Sequence, residues 1–277
     1  MKKILAVTIA FMLAALLFGG CGQQAENVLR VGMECAYAPY NWTQYNDNHG
    51  AVPVHGSSSD YAFGYDVMMA KYLADKIGYK LEIHRMDWDS LPMAVQAGTI
   101  DAVIAGQSIT EERKMTLDFT TPYYYASIVS LVRADSHFAS ATGISGLEGA
   151  VGTSQLNTVW YDVCLPQVPG VVIRPAMESA PAMLVALISG GCDLIVTDMP
   201  TAMAAAAVYP ELKLLDFTGT VDNFQVSDEE VNIGISVQKG NTELLGKLNE
   251  ALATLTVGDF ERMMEEAIRV QPLADDN

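Results

Sequence analysis

Two stretches of the chain repeat one pattern of apolar and polar positions. The first is Ala97-Gly98-Thr99-Ile100-Asp101-Ala102-Val103-Ile104-Ala105-Gly106; the second is Ser189-Gly190-Gly191-Cys192-Asp193-Leu194-Ile195-Val196-Thr197-Asp198. Each reads as a helix end, a Gly turn, an Asp and a short apolar strand. Around the first copy, residues 28–32 read as a strand. Residues 43–62 are polar and rich in Gly, Ser, Asn and Asp, so they are expected to be a loop excursion. Val67, Ala70, Leu73, Ala74 and Ile77 share one helical face, and Gly78 ends that helix. Strands are expected at 80–86 and 100–105, with a helix at 89–97. That order implies a parallel sheet.

A second series follows a strand at 127–133. Strands are expected at 150–154, 171–174, 193–197 and 212–217. Helices are expected at 158–165, at 179–189 with Ser179 as cap, and at 200–208 with Pro200 near its start. A strand at 232–237 and helices at 241–255 and 259–268 complete the chain. The expected fold class is α/β with two similar lobes, each a mostly parallel sheet flanked by helices. One lobe combines 28–122 with 228–277, and the other takes 126–220. Two hinge crossovers fall near 119–127 and 220–231.

The N-terminus reads as a targeting segment. Lys2-Lys3 precedes an apolar stretch over 4–18, which is short for a bilayer span and suits a signal peptide over 1–20. Gly19-Gly20-Cys21 resembles a bacterial lipobox, with Phe18 in place of the usual Leu. That resemblance implies lipidation at Cys21, a tether over 21–27, and a protein anchored to the outer face of the cytoplasmic membrane.

The net charge of −17 becomes −19 without Lys2 and Lys3, because residues 1–20 hold no Asp or Glu. Such a surface repels nucleic acid and anionic lipid headgroups. No Cys/His spacing suggests zinc, and His49, His55, His84 and His137 are scattered. No metal or cofactor is expected. Export permits disulfides, so a Cys164–Cys192 bridge and free thiols both stay open.

The two repeats point to a ligand site, because ligands in open α/β sheets sit past the carboxyl ends of strands. The first copy delivers Gly106-Gln107-Ser108-Ile109-Thr110-Glu111-Glu112-Arg113, a fixed cation with hydroxyls. The second delivers Thr197-Asp198, a carboxylate. Those charges match the two ends of a free amino acid. A guanidinium forks onto a carboxylate with two parallel hydrogen bonds. The blander roles are a surface Arg113 paired with Glu111 or Glu112, and Asp198 as a helix cap.

The segment Asp101–Arg113, followed by Asp118-Phe119-Thr120-Thr121-Pro122-Tyr123-Tyr124, resembles the extracytoplasmic solute-binding proteins of polar amino-acid ABC importers. The same resemblance covers Val31-Gly32-Met33-Glu34-Cys35-Ala36-Tyr37-Ala38-Pro39-Tyr40, Gly64-Tyr65-Asp66-Val67 and Met86-Asp87-Trp88. It implies a two-lobed periplasmic-binding-protein fold of type II. It implies a monomer that captures a free amino acid and delivers it to a membrane permease with its ATPase. By the same resemblance Arg113 holds the α-carboxylate, Gly106 and Ser108 assist, and Asp198 holds the α-ammonium. Tyr37 and Trp88 line the side-chain pocket, and Glu34 faces a cationic side chain. Gln107 is expected to point away. Leu156 stands where relatives carry Gly, which leaves Thr158, with Gln155 and Asn157 behind it, for the second lobe. Two aromatics with Glu34 favour arginine or lysine over an acidic side chain, and a glutamine-type or histidine-type ligand stays open. Two other readings stay open. One is an exported prephenate- or arogenate-type dehydratase, with Glu34 as the acid and no His or Cys beside it. The other is a ligand-sensing domain.

Overall fold

The computed structural model describes residues 27–272. Calls on signal peptide, Cys21 lipidation and most of the tether fall outside the described residues. Two five-stranded sheets organise the molecule. The first runs Lys80–Arg85, Val28–Met33, Ala102–Val103, Ser236–Gln238 and Leu117–Phe119. The second runs Val172–Ile173, Val151–Thr153, Leu194–Asp198, Ile128–Arg133 and Leu212–Leu215. In each sheet the first three strands are parallel and the fourth is antiparallel to both neighbours. The strand Tyr124–Tyr125 pairs with Asn232–Ile233, tying together the two passages of the chain between the sheets.

The sequence repeat has one structural cause. In both copies a helix ends, and Gly98 (φ 71°) or Gly190 (φ 78°) turns the chain in the left-handed region. Asp101 then accepts the backbone N–H of Arg30 at 2.8 Å, and Asp193 accepts that of Val151 at 3.1 Å. The backbone N–H groups of these aspartates return bonds to Arg30 O and Val151 O at 2.8 and 2.7 Å. Each Asp thereby sets the register of the apolar strand that follows it, beside Val28–Met33 in one sheet and Val151–Thr153 in the other. Those apolar strands are buried on both faces, as parallel strands under helices are.

Four expectations need correction. Residues 43–62 are not a plain loop. Asn41–Gln44, Tyr61–Phe63 and Val52–Pro53 join Ala36–Tyr37 in a four-stranded antiparallel sheet. The cause is burial of Trp42, Ala62 and Phe63, with the Trp42 and Phe63 rings edge to face at 5.4 Å. The expected strand at 232–237 is two strands in different sheets. Between them a Cβ on Gly234 would lie 2.6 Å from the Ile109 side chain, so glycine lets the chain pass without displacing it. The expected helix at 158–165 is a π-helical turn over Trp160–Cys164 followed by a 3-10 turn over Leu165–Gln167. Pro166 lacks the N–H that a regular helix would need. Leu117–Phe119 is a strand that the apolar pattern did not announce.

Helix boundaries follow their caps. Ser179 accepts from Ala182 N ahead of Ala180–Ile188, and Asn241 accepts from Leu244 N ahead of Thr242–Leu252. Thr256 and Asp259 form a capping box on Val257–Val270. That last helix packs against Tyr65–Ile77 of the first lobe and Met199–Val208 of the second. Cys35, Cys164 and Cys192 are buried free thiols, which answers the disulfide question. Burial pushes the Cys35 and Cys164 thiols up to about 12 and Cys192 up to about 11. Among the described residues no helix is long and apolar enough to cross a membrane.

Candidate ligand-binding site

Strand ends from both sheets converge on one small cavity. Its wall comprises Glu34, Tyr37, Trp88, Ala105, Gly106, Ser108 and Arg113 from the first lobe, with Gln155, Thr158 and Trp160 from the second. The cavity measures about 20 Å³, room for about one water. It opens into a groove of about 730 Å³ that shares Trp88, Arg113 and Thr158 with it. As it stands the cavity is too small for a free amino acid.

Arg113 stands on the short helix Glu111–Lys114, capped by Thr110, whose side chain accepts Arg113 N at 3.3 Å. Its Nη1 donates to Ser108 O at 2.8 Å, and its Nη2 crosses the cleft to Asn157 O at 2.9 Å. The guanidinium also lies 5.4 Å from the Trp88 ring centre, within cation–π range. Desolvation brings its pKa down to about 10, so it remains charged at neutral pH. Lys114 pairs with Glu111 at 2.8 Å. Asn157 follows Leu156 directly in the chain. It adopts φ 55°, the left-handed conformation glycine would take freely, and asparagine is among the few residues that tolerate it. Its side-chain amide donates to Asp89 Oδ1 at 2.8 Å, a second bridge between the lobes.

Asp198 is fully buried where the strand Leu194–Asp198 ends. One carboxylate oxygen caps the helix Met199–Val208 by accepting Thr201 N at 2.8 Å. The other accepts the Tyr37 hydroxyl from the first lobe. Burial raises the pKa of Asp198, while the Tyr37 and Thr201 hydrogen bonds oppose that rise. Tyr37 stacks on Tyr40 at 4.7 Å and meets Trp160 at 6.1 Å. Glu34 is buried and accepts Gln155 Nε2 at 3.1 Å. Burial pushes its carboxyl up to about 7, with the Gln155 bond opposing.

All eight sequence candidates thus take part in one cleft. Seven line the cavity itself, and Asp198 reaches it through Tyr37. Gln107 lines the outer groove, not the cavity. It is buried, and neither end of its amide has a partner among the described residues. Trp160 was missed. Its only signal was its place two residues after Thr158, at the start of an irregular turn.

Behind the cavity a buried network holds the Gly106 turn. Tyr123 donates to Asp66 Oδ1 at 2.6 Å and accepts Gly106 N at 3.2 Å, and Asn41 Nδ2 donates to Asp66 Oδ2 at 2.8 Å. Gly106 has φ 61°, and a Cβ there would lie 2.7 Å from Tyr37 Cε1. Gly106→Ala is therefore expected to lose about 1–3 kcal/mol of stability from backbone strain. It should also weaken ligand binding, because Tyr37 must move off Asp198. Denaturant titration and calorimetry on the same sample check both effects.

Two α/β lobes with one cavity walled from both sheets form the architecture of type II periplasmic binding proteins. The chain belongs to the bacterial extracellular solute-binding proteins, family 3, whose model matches residues 29–266. It is 28% identical to a probable histidine-binding protein of Neisseria gonorrhoeae, over 95% of this chain and 94% of that one. An amino-acid ABC transporter substrate-binding protein from Streptococcus pneumoniae, solved with L-arginine bound, superposes with TM-score 0.75 and 26% identity. That match covers 88% of this chain and 94% of the other. An ancestral amino-acid-binding protein, described as a precursor of cyclohexadienyl dehydratase, superposes with TM-score 0.68 at 28% identity, covering 87% and 96%. Family membership places the protein outside the cytoplasm.

Proposed function

We propose that this chain is the binding component of an ABC importer that closes on one free amino acid with a cationic side chain, arginine or lysine. One observation carries the reading. Arg113 lines a small cavity that also holds Glu34 and three aromatic rings, and Asp198, from the other sheet, stands directly behind the Tyr37 hydroxyl in that wall. Arg113 takes the α-carboxylate, which displaces Asn157 O from Nη2, with Gly106, Ser108 and Thr158 beside it. Asp198 takes the α-ammonium in place of the Tyr37 hydroxyl. Tyr37, Trp88 and Trp160 pack the aliphatic stem, and Glu34 meets its cationic end. Closure then follows from differential affinity: ligand contacts to both lobes exist only when the lobes meet. The arginine-bound relative supports the choice of ligand. Sheet membership supports the lobes 28–122 with 228–277 and 126–220. A monomer anchored through Cys21 and docking on its permease completes the proposal.

Calorimetry with the twenty amino acids tests it. Arginine or lysine should bind, and acidic amino acids should not. Glu34 adds a signature in pH. Its pKa of about 7 stands above the ordinary value of about 4.3. The folded protein thus holds a proton that the unfolded chain has released. This stabilising contribution is complete below about pH 4 and is lost as pH rises through about 7. A cationic ligand end would ionise Glu34. Binding at pH 6 should therefore release close to one proton, read from heats in buffers of different ionisation enthalpy. The release should shrink by pH 8 and vanish in Glu34→Gln. Binding without proton release at pH 6 would remove Glu34 from the side-chain site.

One observation favours a second reading. A buried carboxyl that stays protonated near neutral pH is what a general acid needs, and a precursor of a dehydratase shares the fold. Turnover of prephenate or arogenate, lost in Glu34→Gln, would establish that reading instead.

A further inference from the structure

The fold brings together two histidines that lie twenty-nine residues apart in the chain, with a carboxylate between them, on the outer edge of the first lobe. Glu82 and His84 are alternate residues of the edge strand Lys80–Arg85, so both point away from the core that Ile83 enters. Val54 bridges Ile83 in parallel register, and His55 N donates to Ile83 O at 2.7 Å. That bridge sets His55 level with His84 on the same face. The imidazoles stack with centres 4.4 Å apart. His55 Nδ1 lies 3.4 Å and His84 Nε2 lies 3.7 Å from the same oxygen, Glu82 Oε2. All three ligand atoms lie within 4.8 Å of one another. His84 Nε2 is buried and makes no hydrogen bond among the described residues.

Tetrahedral zinc with bonds of about 2.0–2.1 Å holds its ligands roughly 3.4 Å apart. Two of the three edges here are already near that length. Two imidazoles and one carboxylate suit a borderline divalent ion better than Ca²⁺ or Mg²⁺, which prefer oxygen. The nearby Arg30 guanidinium does not compete for Glu82, because Asp101 holds it at 2.6 and 3.0 Å.

We propose that His55, Glu82 and His84 form a surface site for a zinc-like divalent cation, with a fourth position open to solvent. Bound metal staples the 36–63 antiparallel sheet to the edge strand of the first lobe. It thereby stiffens the element that carries Tyr37 without touching the amino-acid cleft. The inference is independent of the amino acid bound.

The test is zinc titration of the chelator-stripped, purified chain, followed by calorimetry and by melting temperature. One equivalent should bind. Saturation should raise the melting temperature, because a ligand of the native state stabilises it by mass action. Cobalt in its place should give the strong visible absorption of a four-coordinate ion. His84→Ala should weaken zinc binding by about a hundredfold or more, since even outer-shell partners are worth about 10–100-fold. His55→Gln, a milder change at a more exposed residue, should do likewise. Both variants should keep their circular dichroism and the wild-type response to amino acids. No zinc binding at micromolar concentration would overturn the proposal. So would one equivalent that survives the double variant, which would lie elsewhere on the chain.

Discussion

Arg113→Ala is expected to weaken binding of every amino acid ligand by about thirty- to several-thousand-fold. Truncating one partner of a buried, hydrogen-bonded charge pair costs about 2–5 kcal/mol, and about 1.4 kcal/mol is tenfold in Kd. The loss should be uniform across ligands, because the α-carboxylate is common to all of them. Arg113→Lys should fall between, keeping the charge but losing the fork. The same substitution removes the Nη2 bond to Asn157 O, one of the few bridges between the lobes. The ligand-free protein should therefore open, with a larger radius of gyration in solution scattering. Calorimetry on three amino acids that differ in side chain decides the matter. A variant that still bound any of them at wild-type affinity would remove Arg113 from the site.

Asp198→Asn should separate folding from binding. Asparagine caps a helix about as well as aspartate, so the bond to Thr201 N survives. The carboxylate is buried and its pKa is raised, so its ionised form costs stability that returns as pH falls. Replacing it with a neutral amide should leave the ligand-free melting temperature unchanged or higher at neutral pH. Affinity should nevertheless drop by about 2–5 kcal/mol, since the α-ammonium loses its counter-charge in a dry cleft. A fall in stability together with unchanged affinity would mean that Asp198 is only a cap.

Much of the site was legible because its chemistry is local. Thr110 and Arg113 lie three residues apart, so cap and cation are read together. Asp198 ends the strand that carries it and caps the helix that follows, so its place is read from one short stretch of chain. The small antiparallel sheet within 36–63 was not legible. Its strands are two to four residues long, too short to show a period, and its burial comes from Trp42 meeting Phe63 across the sheet. The split at Gly234 was hidden for a similar reason. Apolar residues on either side of it face different partners, and only the crowding by Ile109 reveals the break.

Local sequence specifies most of the strand–helix alternation, the twin Gly–Asp turns and the charged residues that each turn delivers. These depend on neighbours within a few positions, through caps, turn conformations and hydrophobic period. Only the tertiary structure decided what faces what. It set Asn157 O against Arg113, the Tyr37 hydroxyl against Asp198, and Gln155 against Glu34, all across the gap between lobes. It also stacked His55 on His84 beside Glu82. Such pairings join residues distant along the chain, and no local periodicity encodes them. They arise when buried residues such as Ile83 and Val54 lock into register and carry their polar neighbours with them.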